Sequence, residues 1–190
     1  MTTVYFVRHA EPIHSWEDDK TRPLTPDGKE DSTNLLNLFE NVKIDAIYSS
    51  PYKRCIDTIH ALSECLKLPI KTDGRLRERK VGIGSSNLEL LIKRWENKSF
   101  AEDNGESIGS VQNRNIEALN EILTKNEDAT IIIGTHGTAL STILNFYDGS
   151  FGYNDFLRIK YFMPYVLKCV FQGERLIEKC EELIVQKRGE

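Results

Sequence analysis

The sequence predicts an α/β fold in three layers, in which helices flank a mostly parallel central sheet. Short apolar runs of strand length occur at Val4 to Val7 and at Thr130 to Thr135. Segments with helical spacing of apolar residues alternate with such runs, which is typical of layered α/β domains. Of the 190 residues, 39% are hydrophobic and 28% are charged, and this length and composition suit one hydrophobic core. A single domain over residues 1–190 is therefore expected.

The first part of the chain supplies the opening strands and helices. The first strand runs into a polar loop from Glu11 to Arg22. A helix is predicted from Thr25-Pro26, because threonine caps free N–H groups and proline suits a first turn. The apolar stripe of that helix consists of Leu35, Leu36, Leu38 and Phe39. A second strand at Asp45 to Ser49, a helix over 52–66 and a short strand at Ile70 to Thr72 follow.

Residues 74–109 interrupt the regular pattern. They contain five glycines and part of a basic cluster, and little of the segment has sustained helical spacing. We therefore predict a lid or cap inserted around a short helix. A longer helix over 108–123 follows the insertion.

The last part of the chain contains the clearest central strand, Thr130 to Thr135, and a helix through Leu144. The tail from Tyr165 to Ile184 is predicted as a closing hairpin about Gln172-Gly173. Residues 176–184 also fit a helix, so the pattern alone leaves both possibilities open.

Charge and apolar patterning disfavour several classes of partner. The 25 Lys and Arg against 29 Asp and Glu give a net charge of −4, so no nucleic-acid partner is expected. No apolar run approaches the roughly 18 residues of a spanning helix, and the N-terminal residues carry no basic leader. We therefore expect no membrane association and a cytoplasmic location. The four cysteines form no CxxC pair, so they predict neither a metal site nor a cofactor. They are Cys55, Cys65, Cys169 and Cys180.

Basic or imidazole side chains follow three of the predicted strands. Arg8-His9 follow the first strand, Ser49-Ser50 and Arg54 the second, and His136-Gly137 the strand at 130–135. Since ligands of open α/β sheets bind at the carboxyl ends of the strands, we expect these loops to converge on one cleft. Guanidinium groups match phosphate oxygens, imidazoles can attack phosphorus near neutral pH, and a helix start suits an anion. Gly137 lets the backbone approach a ligand closely. The set predicts a phosphate-binding, phosphoryl-transferring site without a metal.

Each of these residues taken alone has an ordinary structural interpretation. A single histidine at a strand end, such as His9 or His136, is more often a hydrogen-bonded structural residue. Arg54 alone fits a surface position on a helix, and Cys55 is interpreted as a core residue rather than a reactive thiol. The other histidines, interpreted as surface or structural residues, are His14 and His60.

Several segments resemble motifs of one family. Val7-Arg8-His9-Ala10-Glu11 resembles the Arg-His-Gly motif of the histidine phosphatase superfamily, which includes cofactor-dependent phosphoglycerate mutases and many phosphatases. The other similar segments, in the family's order, are Leu24-Thr25-Pro26-Asp27-Gly28, Tyr48-Ser49-Ser50-Pro51-Tyr52-Lys53-Arg54-Cys55-Ile56-Asp57-Thr58, Arg75-Leu76-Arg77-Glu78-Arg79-Lys80-Val81-Gly82, Gly105-Glu106-Ser107 and Thr135-His136-Gly137. An Arg-His dipeptide alone is weak evidence, whereas six ordered segments are strong. The resemblance implies a phosphoglycerate mutase-like fold.

The resemblance also implies a role for each matching residue. His9 would be the nucleophile that becomes phosphohistidine, and Arg8, Arg54 and His136 would bind the phosphoryl oxygens and stabilise the transition state. Glu78 would be the general acid. A carboxyl group that donates a proton near neutral pH needs surroundings that favour its protonated form, so we expect Glu78 to be shielded from water or near another acid. The alternative for Glu78 is an ordinary ion pair with Arg77, Arg79 or Lys80.

Departures from the family pattern guide the choice of activity. Ala10 replaces the motif's glycine, and the loop over 11–17 lacks the asparagine that many members place there. The chain is shorter than a typical mutase, and its predicted lid is compact. These features favour a metal-independent phosphomonoesterase acting on small phosphorylated metabolites over a phosphoglycerate mutase with the same catalytic residues. A third hypothesis is a non-catalytic module that binds phosphorylated ligands, which the presence of both His9 and Glu78 disfavours.

A basic cluster lies at the start of the predicted lid. Its members are Lys71, Arg75, Arg77, Arg79 and Lys80. Within this stretch only Asp73 and Glu78 oppose them. The cluster therefore either attracts an anionic substrate into the cleft or forms a solvated face.

Overall fold

Parallel and antiparallel strands share one sheet in the computed structural model, which describes residues 1–84 and 87–187. The strands are β1 (Thr2–Arg8), β2 (Ala46–Ser49), β3 (Ile70–Thr72), β4 (Thr130–Thr135), β5 (Phe162–Gln172) and β6 (Arg175–Gln186). Their order within the described residues is β3-β2-β4-β1-β5-β6. The first four are mutually parallel, whereas β5 pairs antiparallel with β1 and β6 pairs antiparallel with β5. The predicted mostly parallel α/β sheet is confirmed, as is the closing hairpin, here β5 and β6.

Helices cover both faces of this sheet. They are α1 (Pro26–Ser32), α2 (Asn34–Phe39), α3 (Lys53–Leu66), α4 (Leu88–Glu96), α5 (Ile108–Lys125), α6 (Gly137–Tyr147) and α7 (Tyr153–Ile159). Apolar residues of α5, α6 and α7 pack on one face, and those of α2 and α3 pack on the other. None of the helices in the described ranges is both long and apolar enough to cross a lipid bilayer.

The alternation of side chains along the central strands explains the three layers. Val4 and Phe6 of β1 enter the core on the α5 and α6 side, whereas Tyr5 and Val7 enter the core on the α2 and α3 side. Neighbouring β4 divides its isoleucines in the same way. A strand that is buried on both faces reads as a continuous apolar run, which is why the sequence reveals these strands so clearly.

The predicted helix after Thr25 is wrong in one respect, because the chain forms two short helices there. Thr25 caps α1 by accepting a hydrogen bond from the Gly28 N–H at 2.9 Å, as predicted. The hydroxyls of Ser32 and Thr33 then donate to the carbonyls of Lys29 and Glu30, each at 2.7 Å. Side-chain bonds of this kind compete with the helical ladder, and the chain turns at Thr33 before α2 begins.

Helix α7 was not predicted from the sequence. It begins after Gly152, whose N–H donates to the Asp155 carboxylate at 2.9 Å, and its Ile159 is fully buried. Within residues 74–109 the structure shows a 3-10 turn at Gly74–Leu76, helix α4 and the start of α5. The interpretation of that segment as a lid, and of residues 1–190 as one domain, stays a prediction.

Candidate active site

The carboxyl ends of β1, β2 and β4 meet at one edge of the sheet. Arg8 lies opposite Thr135, and Ser49 lies opposite Gly134. Backbone bonds extend this register beyond the strands, since the His9 N–H donates to the Thr135 carbonyl at 3.1 Å. The three loops expected to converge therefore do so, because parallel strands in register deliver the residues that follow them to the same edge.

Arg8 is buried against the start of α6. Its Nη1 donates to the Ile159 carbonyl at 2.5 Å, and its buried Nε has no hydrogen-bond partner among the described residues. Burial lowers the pKa of the guanidinium to about 10, so it remains charged at neutral pH. A Cβ on Gly137 would lie 3.1 Å from Arg8 Cζ, which explains why glycine begins this helix. A buried cation with an unused donor is a strong site for an anion.

His9 is held as a neutral imidazole with one nitrogen available. Its Nδ1 lies 2.7 Å from the Ala10 carbonyl, and because a carbonyl can only accept, Nδ1 carries the proton and Nε2 the lone pair. Burial, with the charges of Arg54 and Arg8, lowers the pKa of His9 well below its usual value. The Ala10 N–H donates to Thr58 Oγ1 at 2.9 Å, which fixes the loop. This imidazole can act as a nucleophile at neutral pH.

His136 lies directly behind His9. The two ring centroids are 5.3 Å apart, and His136 Nε2 lies 2.7 Å from Ser50 Oγ. Burial, Arg54 and His9 lower the pKa of His136 well below its usual value. Cys55 Sγ is 3.3 Å from the same Nε2 and donates to the Thr135 carbonyl at 3.1 Å. Burial raises the pKa of this thiol to about 12, so Cys55 is a packed, neutral residue as predicted.

Arg54 is also buried, so the surface interpretation of this residue alone is wrong. It is 3% exposed, and its Cζ lies 5.0 Å from the Tyr52 ring centroid. Its Nη1 donates to the backbone carbonyl of Asp19 at 2.6 Å and to the carboxylate of Asp19 at 3.0 Å. Asp19 could not be predicted as a site residue, because a contact between the polar loop and α3 over 35 positions leaves no local pattern in the sequence.

Glu78 binds the amino end of α6. Its carboxylate accepts hydrogen bonds from the N–H groups of Thr138 at 3.0 Å, Ala139 at 3.2 Å and Arg79 at 2.7 Å. Two of these donors, the N–H groups of Thr138 and Ala139, lie in the first turn of α6 and have no partner within the helix. Glu78 is half-buried, so it is partly shielded from water as expected. Among the described residues, the groups that contact its carboxylate are backbone N–H donors and not another acid. The guanidiniums proposed as its ion-pair partners bind elsewhere, Arg77 to Glu106 and Arg79 to Glu102.

A nearly buried ion pair supports the loop that carries Glu78. Arg114 of α5 bonds both carboxylate oxygens of Glu106, at 2.7 and 2.8 Å. The same guanidinium donates to the carbonyls of Arg75 and Arg77, each at 2.6 Å, and of Glu78 at 3.1 Å. Arg114 carries no signal in the sequence, and Glu106 appears there only as part of the Gly-Glu-Ser segment.

A cleft of about 380 Å³ opens over these residues. Arg8, His9, Arg54, Glu78 and Gly137 line its inner end, whereas His136 is fully buried behind them. Among the described residues, no group of three His, Cys, Asp or Glu side chains lies close enough together to hold a metal ion. The arrangement offers a neutral imidazole nitrogen between buried cations, with a carboxylate facing the same space.

The chain matches the family model of the histidine phosphatase superfamily (branch 1) over residues 4–173. The chain belongs to this superfamily. It is similar to phosphoserine phosphatase 1 of Hydrogenobacter thermophilus, with 29% identity over 72% of this chain and 71% of the relative. It is also similar to a probable phosphoglycerate mutase, GpmB, of Proteus mirabilis, with 27% identity over 76% of this chain and 74% of the relative. The solved structure of YhfR from Bacillus stearothermophilus has a TM-score of 0.78 at 25% identity and covers 93% of this chain and 95% of its own.

Family membership explains why the segments quoted from the sequence lie together. In this superfamily member, Thr25 caps α1, and a Cβ on Gly28 would lie 2.3 Å from the Glu11 carbonyl oxygen. The Leu-Thr-x-x-Gly segment therefore packs directly on the loop after His9. Thr58, at the end of the Ser-Ser-Pro segment, binds Ala10 in the same loop. The resemblance inferred from the sequence is confirmed, and the individual roles of the site residues stay predictions.

The structure adds contacts that the sequence does not show to two sets of charged and imidazole residues. Three arginines of the basic cluster are ion-paired. Arg75 binds Asp73 at 2.7 Å, Glu117 at 2.9 Å and Glu121 at 2.6 Å, while Arg77 and Arg79 form the pairs described above. Two of these acids, Glu117 and Glu121, lie on helix α5 and are distant from Arg75 in sequence. Of the five residues in the cluster, only Arg79 is among the described residues that line the cleft. His14, interpreted as a surface or structural residue, is exposed but lines the cleft.

Proposed function

We propose that this protein is a phosphomonoesterase that acts through a phosphohistidine on His9. The observation that carries the proposal is the neutral His9 imidazole, whose Nε2 is available while Nδ1 is bonded to the Ala10 carbonyl at 2.7 Å. Its two charged neighbours, Arg8 and Arg54, are both buried. A nucleophile of this kind attacks a phosphoryl group whose charge the cations offset.

The reaction has two transfers. His9 Nε2 attacks phosphorus, the bond from phosphorus to the leaving oxygen breaks, and Glu78 in its protonated form donates a proton to that oxygen. Water then attacks the phosphohistidine and gives its proton to the Glu78 carboxylate, which releases orthophosphate and restores His9. Arg8, Arg54 and His136 bind the oxygens of the transferring group, and the close approach at Gly137 sets the position of Arg8.

A phosphoglycerate mutase is the second candidate, since the similarity to the probable mutase of Proteus mirabilis spans 76% of this chain. A mutase must keep its phosphohistidine from water while a phosphoglycerate is bound. The absence of the family's asparagine from residues 11–17 favours hydrolysis. The proposed substrate is a small phosphate monoester. The cytoplasmic location expected from the sequence stays a prediction.

Phosphate release from a panel of phosphomonoesters in EDTA tests the proposal. His9→Ala should lower release by about a thousandfold or more, as expected for loss of a nucleophile, while circular dichroism shows a folded protein. His60→Ala, which changes an exposed histidine on α3, serves as the matched control and should keep wild-type activity. A folded His9→Ala variant that retains most of the activity would contradict the mechanism. Interconversion of phosphoglycerates with little phosphate release would instead identify a mutase.

The role of Glu78 is tested by its dependence on the leaving group. Glu78→Gln should lower kcat/KM for alkyl phosphates by about 100-fold, the lower end for general-acid catalysis. Aryl phosphates should lose much less, because an aryloxide leaves without protonation. Equal losses on both classes would remove Glu78 from the general-acid role.

A further inference from the structure

An acidic side chain lies inside a cleft that is proposed to bind phosphate. Among the described residues that line the cleft, the carboxylates are Asp19 and Glu78. Glu78 has a place in the proposed chemistry as the general acid. Asp19 has none, although its carboxylate bonds Arg54, one of the two arginines proposed to bind the phosphoryl oxygens. A negative charge at this position opposes the binding of a phosphate dianion, so it points to a function of its own.

The polar loop after β1 holds Asp19 on Arg54 by its backbone as well as by its side chain. The Asp19 carbonyl accepts a hydrogen bond from Arg54 Nη1 at 2.6 Å, and Asp19 Oδ1 accepts from the same nitrogen at 3.0 Å. The next carbonyl, of Lys20, accepts from the Lys53 N–H at the start of α3, at 2.9 Å. Since these backbone contacts already fix the loop and the guanidinium to each other, the charge of the carboxylate is not required to position Arg54.

The carboxylate of Asp19 offsets the charge of cations at the cleft. Its Oδ1 lies 3.0 Å from Arg54 Nη1 and 3.2 Å from Arg22 Nη1. Arg54 is buried, where charges interact more strongly than they do in water. The Asp19 side chain is itself 40% exposed, so solvent screens part of the interaction. Arg54 therefore attracts phosphate less strongly than a buried guanidinium without this neighbour would.

A weaker hold on phosphate has a use at the end of the proposed reaction. Orthophosphate is then left among the same groups that stabilised the transferring phosphoryl group. Arg8 alone offers it a buried charge and an Nε with no partner among the described residues. Tight binding of this product slows its release without stabilising the transition state, and product release limits kcat in many enzymes.

We propose that Asp19 promotes the release of orthophosphate by holding Arg54 Nη1 and offsetting the charge of that guanidinium. Asp19 acts through Arg54, as a positioning residue, and does not bond phosphate itself. The inference rests on the proposed function for the placement of phosphate on Arg54. In the described part of the chain, Arg54 forms hydrogen bonds only through Nη1, which leaves Nη2 and Nε as donors for phosphate. Asp19 and phosphate therefore share one guanidinium, and each weakens the hold of the other.

Calorimetric titration with inorganic phosphate compares the wild-type protein with Asp19→Asn and needs no turnover. Asparagine keeps the backbone carbonyl and a side-chain oxygen acceptor, so the variant removes only the charge. At about pH 8, where phosphate is mostly a dianion, we expect Asp19→Asn to bind it about tenfold tighter at low salt, as a partly screened charge interaction gives. The gain should shrink at about 0.5 M salt, because salt screens exposed charges.

Glu17→Gln is the matched control, because it removes a carboxylate from the same loop. Glu17 is exposed and is not among the described residues that line the cleft, so this variant should bind phosphate like the wild type. A double-mutant cycle identifies the cation through which Asp19 acts. In an Arg54→Met background most of the gain from Asp19→Asn should be lost, whereas in an Arg22→Met background most of it should remain.

Turnover separates an effect on release from damage to the site. Orthophosphate should inhibit hydrolysis of an aryl phosphate about tenfold more strongly in Asp19→Asn than in the wild type, while kcat/KM does not fall. A role of the carboxylate in holding Arg54 in place would instead lower kcat/KM and weaken phosphate binding.

Three results would overturn the inference. They are equal or weaker phosphate binding by folded Asp19→Asn, an equal gain in Glu17→Gln, and a gain that persists in full without Arg54. Failure of the proposed function would show separately, as wild-type protein that binds inorganic phosphate through Arg54 but releases none from phosphomonoesters. The titrations with inorganic phosphate do not depend on that release.

Discussion

Arg114→Met removes a guanidinium that joins α5 to the loop carrying Glu78. The side chains of Arg114 and Glu106 are 11% and 12% exposed, so the variant leaves a nearly buried carboxylate with only the more exposed Arg77, 3.1 Å away, as its cation. Burial alone would raise the pKa of Glu106, but the hydrogen bonds and charge of Arg114 hold it below its usual value. Breaking a buried pair on one side costs about 3–5 kcal/mol. We expect about 3 kcal/mol less stability, at the low end of this range, because some water reaches the site and Arg77 still pairs with Glu106.

The same variant should change catalysis in a particular way. The carbonyls of Arg75, Arg77 and Glu78 lose a shared donor, so the Glu78 carboxylate is no longer held in one position. A general acid that is misplaced by about an ångström loses on the order of 100-fold in rate. We expect kcat for alkyl phosphates to fall by about that factor and kcat for aryl phosphates to fall much less, with KM nearly unchanged.

Urea unfolding and kcat/KM on alkyl and aryl phosphates measure the two effects separately. Arg114→Lys keeps the charge but not the planar fork, and should recover part of the stability and little of the alkyl activity. Arg175→Met, which removes a β6 arginine bonded to Gln172, is the control and should change neither. If folded Arg114→Met kept the wild-type ratio of alkyl to aryl activity, Arg114 would be a structural residue without a positioning role.

Two further predictions concern the inner end of the cleft. Gly137→Ala places a methyl group 3.1 Å from the buried Arg8 guanidinium. We expect kcat/KM to fall about tenfold and the free energy of unfolding to fall by about 1–2 kcal/mol. Gly149→Ala is the control and should leave kcat/KM unchanged, because a Cβ there meets nothing within 4 Å. The pKa values of His9 and His136 are both well below normal in the folded protein, so below about pH 6.5 the unfolded chain binds protons that the folded one does not. The free energy of unfolding should therefore fall on acidification, and each histidine should contribute about 1.4 kcal/mol per pH unit to this slope. Urea unfolding between pH 5 and 7 measures the slope, and His9→Gln should remove the contribution of His9. A slope that His9→Gln leaves unchanged would refute the argument.

The sequence predicted the parts of the fold that depend on local apolar pattern. Val4 to Val7 and Thr130 to Thr135 are buried on both sides of the sheet, so their runs of apolar residues are continuous and easy to recognise. The loops after them follow from the rule that parallel strands bring their carboxyl ends together. Helix α7 had no such signal, since only Ile159 within it is fully buried.

Contacts between distant segments account for what the sequence could not predict. Arg75 looked like part of a basic cluster with few opposing acids, because Glu117 and Glu121 lie more than 40 positions away. Asp19 and Arg54 are likewise joined only by the fold. A charge pattern along the chain says little about the local charge of a surface until the partners brought in by other helices are known.

Helix α6 connects the two halves of the proposed chemistry. Gly137 gives space to the Arg8 guanidinium, and the next two N–H groups, of Thr138 and Ala139, hold the Glu78 carboxylate. The helix is buried from Ala139 to Asn145, so core packing on most of its surface fixes its position. One rigid element therefore sets the distance between a phosphate-binding cation and the proposed acid. Changes of substrate should then map to α4 and α7, where side chains that line the cleft, such as Trp95 and Phe156, can vary without moving α6. Changes in α6 should affect every substrate alike.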